Sequence, residues 1–260
     1  MYNTIDQIGQ EISLTRYPKR IISLVPSQTE LLYDLGLSQE TIGITRFCIH
    51  PETWFHSKTR IGGTKDLALN KIKALQPDLV IANKEENILA QVEQIRQFCP
   101  VWTSNISNLS SALEMIREVS RITNRANAGL SLVQEIENRF HDLPAKSVPE
   151  SAVYLIWKDP YMSVGGDTFI NDMMRICGFR NVFEQSSRYP ETTISEIATL
   201  NPGFLLLSSE PYPFKDNHVN ELTSQLPGTK ILLADGEMFS WYGSRLLHSA
   251  AYFNELRKQL

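Results

Sequence analysis

IKALQPDLVIANKE, residues 72–85, and IATLNPGFLLLSSE, residues 197–210, align without a gap at an offset of 125 residues. Ile72 pairs with Ile197, Leu75 with Leu200, Pro77 with Pro202 and Glu85 with Glu210. Each stretch reads as a short helix, a turn at Pro, a continuous apolar strand and a polar loop. A strand apolar on both faces is what a parallel sheet buried between helices requires. The offset is nearly half of the 260 residues. The chain is therefore expected to form two lobes of similar α/β architecture, each a mainly parallel sheet flanked by helices.

The flanking sequence extends this pattern. RIISLV (20–25), TIGIT (41–45) and PVWTS (100–104) read as further strands of the first half, with a helix over NILAQVEQIRQF (87–98). Ser27 and Glu30 have capping-box spacing for a helix that Gly36 can close. In the second half AVYLIW (152–157), FLLLS (204–208) and KILLAD (230–235) read as strands. FINDMMRICG (169–178) is a helix closed by Gly178, and residues 244–259 form the last helix. Residues 110–143 contain no Pro, and their apolar positions step by three or four, the helical period. Thr123-Asn124 divides that span. The expected organisation is an N-terminal lobe over residues 1–123, one rigid linking helix over 124–146 and a C-terminal lobe over 147–260. A flexible linker would be rich in Gly, Ser or Pro instead.

Composition excludes several functions. A net charge of −4 provides no basic stripe, so nucleic acid is not an expected partner. Apolar runs are too short to span a membrane. The opening MYNTIDQIGQEIS lacks a charged-then-apolar run and does not read as a signal peptide. Cys48, Cys99 and Cys177 are odd in number and scattered, so buried thiols are expected rather than a disulfide framework or zinc site.

Ligands of parallel α/β sheets bind at the carboxyl ends of the strands. The loops there are RFCIHPETWFH (46–56), KDPYMSVGGD (158–167), SEPYPF (209–214) and GEMFSWYGS (236–244). Of 24 aromatic residues, 11 lie in these loops, at their strand edges or at Tyr189, including Trp54, Trp157, Trp241 and Tyr242. That concentration points to an apolar cleft for a large flat or hydrophobic ligand. There is no G-x-S-x-G, P-loop or dinucleotide fingerprint. A Cys48–His50 thiol pair lacks an orienting group or oxyanion site, so no catalytic residues are assigned. His50 and His56, with Glu52 or Glu237, are the alternative for a bare metal, and His50 for a haem-like ligand.

RIISLVPSQTELLYDLGL, KIKALQPDLVIANKEEN, DTFINDMMRICGFRNVF and the final helix, in that order, resemble the cobalamin and iron–siderophore class of ABC-transporter substrate-binding proteins. The likeness covers about residues 3–260, and DGEMFSWYGSRL resembles a cobalamin-binding subgroup. It implies two α/β lobes bridged by a rigid helix, with the ligand held between them. It also implies no catalysis, no intrinsic cofactor, a monomer, and delivery to a membrane permease and its ATPase. Cobalamin is the implied cargo, with ferric siderophore, haem or a metal ion as alternatives on the same scaffold. Phe47, Tyr161, Tyr189 and Glu237 fall on ligand-contacting positions of the family, and Trp241 lies one helical turn beyond Glu237. Thr64 and Asn83 stand where cobalamin receptors carry large aromatics; Trp54 and His50 are the candidates to compensate. Docking acids of the family fall on Asn70 and Ser195, which makes the nearby Asp66 and Glu196 the candidates here. The family implies a periplasmic or cell-envelope location. The absence of a signal leaves a cytoplasmic corrinoid-handling protein or enzyme as the alternative.

Overall fold

The structure is a computed structural model and describes residues 2–143 and 148–259. It opens on an antiparallel hairpin of β1 (Tyr2–Ile5) and β2 (Glu11–Leu14). The chain continues through β3 (Ile21–Ser23), α1 (Pro26–Asp34), β4 (Thr41–Ile44), α2 (Glu52–Ser57), β5 (Thr59–Arg60), α3 (Leu69–Ala74), β6 (Leu79–Asn83), α4 (Leu89–Arg96) and β7 (Val101–Ser104). The last five strands form one parallel sheet in the order β5-β4-β3-β6-β7. Two helices follow, α5 (Leu109–Ile122) and α6 (Ala126–His141).

The later elements are β8 (Glu150–Leu155), β9 (Tyr161–Met162), α7 (Phe169–Cys177), β10 (Phe179–Asn181), β11 (Glu191–Thr192), α8 (Ile194–Leu200), β12 (Phe204–Ser208), α9 (Asp216–Gln225), β13 (Lys230–Ala234), α10 (Gly236–Ser240) and α11 (Leu246–Arg257). Strands β10-β8-β12-β13 make a second parallel sheet, and β9 pairs with β11.

The repeat seen in the sequence is carried into the backbone. Strands β6 and β12 cover 79–83 and 204–208, again 125 residues apart, and every residue of both is buried. Ahead of each strand one residue turns left-handed: Gln76 and Asn201, both at φ 45°. That turn ends the preceding helix, and Pro77 or Pro202 then prevents its continuation. Ile72 and Ile197 are fully buried and pin the two helices to their sheets. Burying each such side chain contributes about 2 kcal/mol.

Packing divides the chain into two units. One comprises the chain to Ile106 with Ser110–Glu137 and Tyr242–Arg245; the other comprises Ser107–Leu109, Asn138–Trp241 and the chain from Leu246. The expected linking helix corresponds to α6, which falls across the two units with most of it in the first. The helical span breaks at Thr123-Asn124, with Asn124 at φ 59° and the Thr123 hydroxyl donating to the Val119 carbonyl at 2.7 Å. Arg125 donates to the Leu35 carbonyl and to Glu40, and Gly129 lies against Ser120, where a Cβ would fall 1.9 Å from Oγ. These contacts fasten the start of α6 to the first unit. Residues 144–146 of the expected linker lie outside the described residues.

Two local expectations are corrected. Ser27 and Glu30 form no capping box: Val25 occupies the cap, Pro26 starts α1, and Glu30 instead receives two hydrogen bonds from Arg245. Strand β13 is more exposed than its KILLA sequence suggests, because it is a sheet edge with a single strand neighbour. Gly178, at φ 95°, closes α7 as read from the sequence.

Candidate functional site

In the first unit the loop after β4 carries Phe47 and His50. Phe47 is 50% exposed, with the Arg46 guanidinium 5.1 Å from its ring centroid. His50 is half-buried just before Pro51. Cys48 between them is fully buried, with Thr29 and Thr45 hydroxyls at 3.0 and 3.1 Å. Burial pushes its thiol up to about 11, so it is protonated at neutral pH and carries no nucleophilic thiolate.

Trp54 does not join Phe47 at the surface. It is 3% exposed, meets Tyr33 edge-on at 5.4 Å and lies under the Lys58 ammonium. Its position on the inner face of α2 spends the indole on packing. Asn83 is likewise 2% exposed. Its side-chain oxygen accepts the Glu85 and Glu86 N–H groups at 2.8 and 3.0 Å, and its amide donates to Ser104 Oγ. These bonds turn the chain after β6 and occupy the Asn83 side chain. Thr64 is half-buried, and its carbonyl receives the Asn87 amide at 2.9 Å.

A depression of ≈ 610 Å³ opens beside the loop after β6, away from Phe47 and His50. Its lining includes Gln7 and Ile8 of the β1–β2 turn, Asn83, Lys84, Leu89 and Val92. That volume falls in the range of small-molecule sites. The hairpin residues were missed in the sequence; alternating polar and apolar residues flanking Gly9 were the available signal.

Tyr242 stands with this unit and is 6% exposed, its hydroxyl donating to Glu86 Oε1 at 3.0 Å. Burial, reinforced by the Glu86 charge, raises the phenol well above its ordinary value. Three residues on, Arg245 grips Glu30 with bonds of 2.9 and 2.6 Å. Gly243 between them, at φ 111°, brings the chain close to the Ser27 carbonyl.

In the second unit the aromatics are more open. Trp157 follows β8 at 41% exposure, edge-on to Tyr212 at 5.8 Å. Tyr212 in turn packs against Phe214 and His218. Tyr161 on β9 is half-buried; burial raises its phenol, and the neighbouring Lys158 opposes the shift. Tyr189 is half-buried beneath the Arg188 guanidinium at 5.5 Å. Lys158 pairs with Glu221 at 3.0 Å and Arg188 with Asp167.

Glu237 sits in the first turn of α10, partly exposed, and its backbone N–H is capped by Asp235. Trp241 closes the helix at 7% exposure, its indole N–H donating to Glu210 Oε1 at 2.9 Å. Glu210 was read from the sequence only as part of the repeat, although it follows β12 as Glu85 follows β6.

The candidate docking acids are both exposed. Glu196 also accepts the Thr192 hydroxyl at 2.8 Å, while its N–H is capped by Thr193. His56 pairs with Glu52 on the exposed face of α2. Among the described residues no three of His, Cys, Asp and Glu stand close enough to hold a metal ion. No described helix is long and apolar enough to cross a membrane.

Two parallel-sheet units whose strand-end loops carry exposed rings and hydrogen-bonded carboxylates define a ligand-binding α/β protein. The family model of periplasmic binding proteins matches residues 21–225, and the chain belongs to that family. It is 29% identical over 195 residues to the vitamin B12-binding protein of Vibrio campbellii, covering 73% of this chain and 70% of that one. It is 28% identical over 212 residues to an uncharacterized ABC transporter substrate-binding lipoprotein of Bacillus subtilis, covering 76% and 66%. Among solved structures it superposes on the periplasmic heme-binding protein HutB of Vibrio cholerae with a TM-score of 0.75 at 21% identity, covering 91% and 98%.

Proposed function

We propose that this chain is the substrate-binding protein of an ABC-type importer and that it captures cobalamin or a related metal chelate in the cell envelope. The observation that carries the reading is the likeness, over 73% of the chain, to a protein named as binding vitamin B12. The exposed ring of Trp157 and the half-buried Tyr161 and Tyr189 supply apolar faces suited to a large flat chelate. Phe47 and His50 are the contributors from the first unit, with Glu237 as a polar contact. Delivery to a permease and ATPase, with Asp66 and Glu196 as docking acids, is part of the same proposal. Its action is binding and release, without chemistry on the cargo.

Haem is the second reading, favoured by the similarity to a heme-binding structure and by the partly accessible His50. Titrating the protein separately with cyanocobalamin, haemin and a ferric hydroxamate, by absorbance and heat, tests both. Saturable binding of cyanocobalamin alone supports the first reading, and preference for haemin supports the second. Reconstitution with the permease tests docking: Glu196→Ala should leave cargo affinity intact and slow uptake.

A further inference from the structure

The carboxylate of Glu210 lies beneath α10 and ties that helix to the loop after β12. Its Oε1 accepts two donors, Ser240 Oγ at 2.7 Å and Trp241 Nε1 at 2.9 Å, both at the end of the helix. The opposite end is held as tightly. Gly236 N–H donates to Ser209 Oγ at 2.9 Å. A Cβ on Gly236 would fall 2.5 Å from Glu210 Cγ and from Ser208 Oγ, so only glycine permits this approach. Ser208 Oγ donates to the Glu210 carbonyl at 2.6 Å and receives the Tyr154 hydroxyl at 3.1 Å. A helix of five residues has too few internal hydrogen bonds to hold itself. Its orientation is set by these contacts, and Glu237 and Trp241 travel with it.

We propose that Glu210 is a positioning residue for ligand capture, holding α10 with Glu237 and Trp241 in the orientation that receives the cargo. This rests on the receptor reading above. A carboxylate largely removed from water is a costly way to fill space, and an apolar residue of similar size would pack there at less cost. What the carboxylate adds is one oxygen that takes two donors from consecutive residues.

Burial raises the Glu210 carboxyl above the usual range; the negative Glu237 and Asp235 add to this, while the Ser240 and Trp241 bonds oppose it. The other titratable groups facing this cluster are Tyr154 from β8 and Tyr252 from α11, whose hydroxyl accepts the Asp235 N–H. Hydrogen bonds to the ionised carboxylate are roughly twice as strong as those to a neutral acceptor. Ligand affinity should therefore weaken on acidification through the Glu210 titration.

The test titrates wild type, E210A, E210Q, W241F and E210A/W241F with cyanocobalamin and haemin in a pH series that starts near the ordinary glutamate value, about 4.3, and ends above neutrality. E210A, which removes the acceptor shared by Ser240 and Trp241, should weaken binding about tenfold or more. E210Q retains a neutral two-lone-pair oxygen like that of the protonated carboxyl, so it should recover part of that loss, match wild type in acid and flatten the pH profile. E210A should cost little more when added to W241F. In ligand-free protein the emission that W241F removes should shift with pH in wild type but not in E210Q. Wild-type affinity in E210A overturns the inference and leaves the receptor reading standing. Failure of the wild type to bind either probe overturns the receptor reading and the inference with it. Should E210A not fold, identical pH profiles for wild type and E210Q overturn the inference.

Discussion

The loops that follow β6 and β12 begin from the same backbone and end in different chemistry. Both strands are wholly buried, and both follow a left-handed residue and a proline at matching positions. After β6, Asn83 and Asn87 close a network of amide hydrogen bonds that reaches Leu24, Thr64 and Ser104. After β12, Ser208 and Glu210 turn instead to a short helix and the indole of Trp241. Strand pairing dictates the chain only as far as the last ladder residue, so the scaffold can be kept while the loops diverge. The first loop spends its polar groups on its own turn, and the second spends them on holding a short helix in place.

The largest expected effect breaks the first loop. Asn87→Ala removes the acceptor for the Asn83 N–H and the donor to two carbonyls, and should cost about 3 kcal/mol in urea unfolding. A cost below about 1 kcal/mol would mean that water readily replaces the amide. Next, Gly236→Ala overpacks the second loop and should cost about 2 kcal/mol, whereas Gly228→Ala, whose added Cβ would meet only Asn201 Oδ1 at an ordinary 3.5 Å, should be nearly neutral. Equal effects at the two glycines would contradict the close approach of α10.

Smaller still is the comparison of the two turns. Gln76→Gly relieves a left-handed glutamine and should stabilise by about 1 kcal/mol; Asn201→Gly should gain much less, because Asn tolerates that conformation. Thermal melts of both variants check the order. The subtlest effect is electrostatic. Because the Glu210 pKa is raised on folding, its favourable contribution is present below the unfolded pKa and is lost as pH rises through the folded value. Glu210→Gln should therefore gain stability relative to wild type at neutral pH, and the gap should close in acid. A gap that widens in acid would reverse the assigned direction.

Much of the scaffold was legible because its signals are local. The apolar runs of β3, β4, β6, β7, β8 and β12, the period of α5 and α6 and the cap at Gly178 each depend on residues within one or two turns. Strands β1, β2, β5, β9, β10 and β11 were not legible, since two to four residues carry no usable periodicity. The candidate site was harder. Phe47 and Trp157 stand open, whereas Trp54 packs with Tyr33 and Lys58 and Asn83 bonds to Ser104. Arg245 to Glu30 and Tyr242 to Glu86 join residues more than 150 positions apart, which no local pattern announces. Their effect is to place four residues near the C-terminus in the first unit.

The most direct test of the receptor reading is equilibrium titration of the purified protein with cyanocobalamin, followed by calorimetry and tryptophan emission. Saturation at one ligand per chain, with a Kd below about 1 μM and quenching that is reduced in Trp157→Ala, is the expected result. Heat and emission that stay flat for cyanocobalamin, haemin and ferric hydroxamate alike would contradict it.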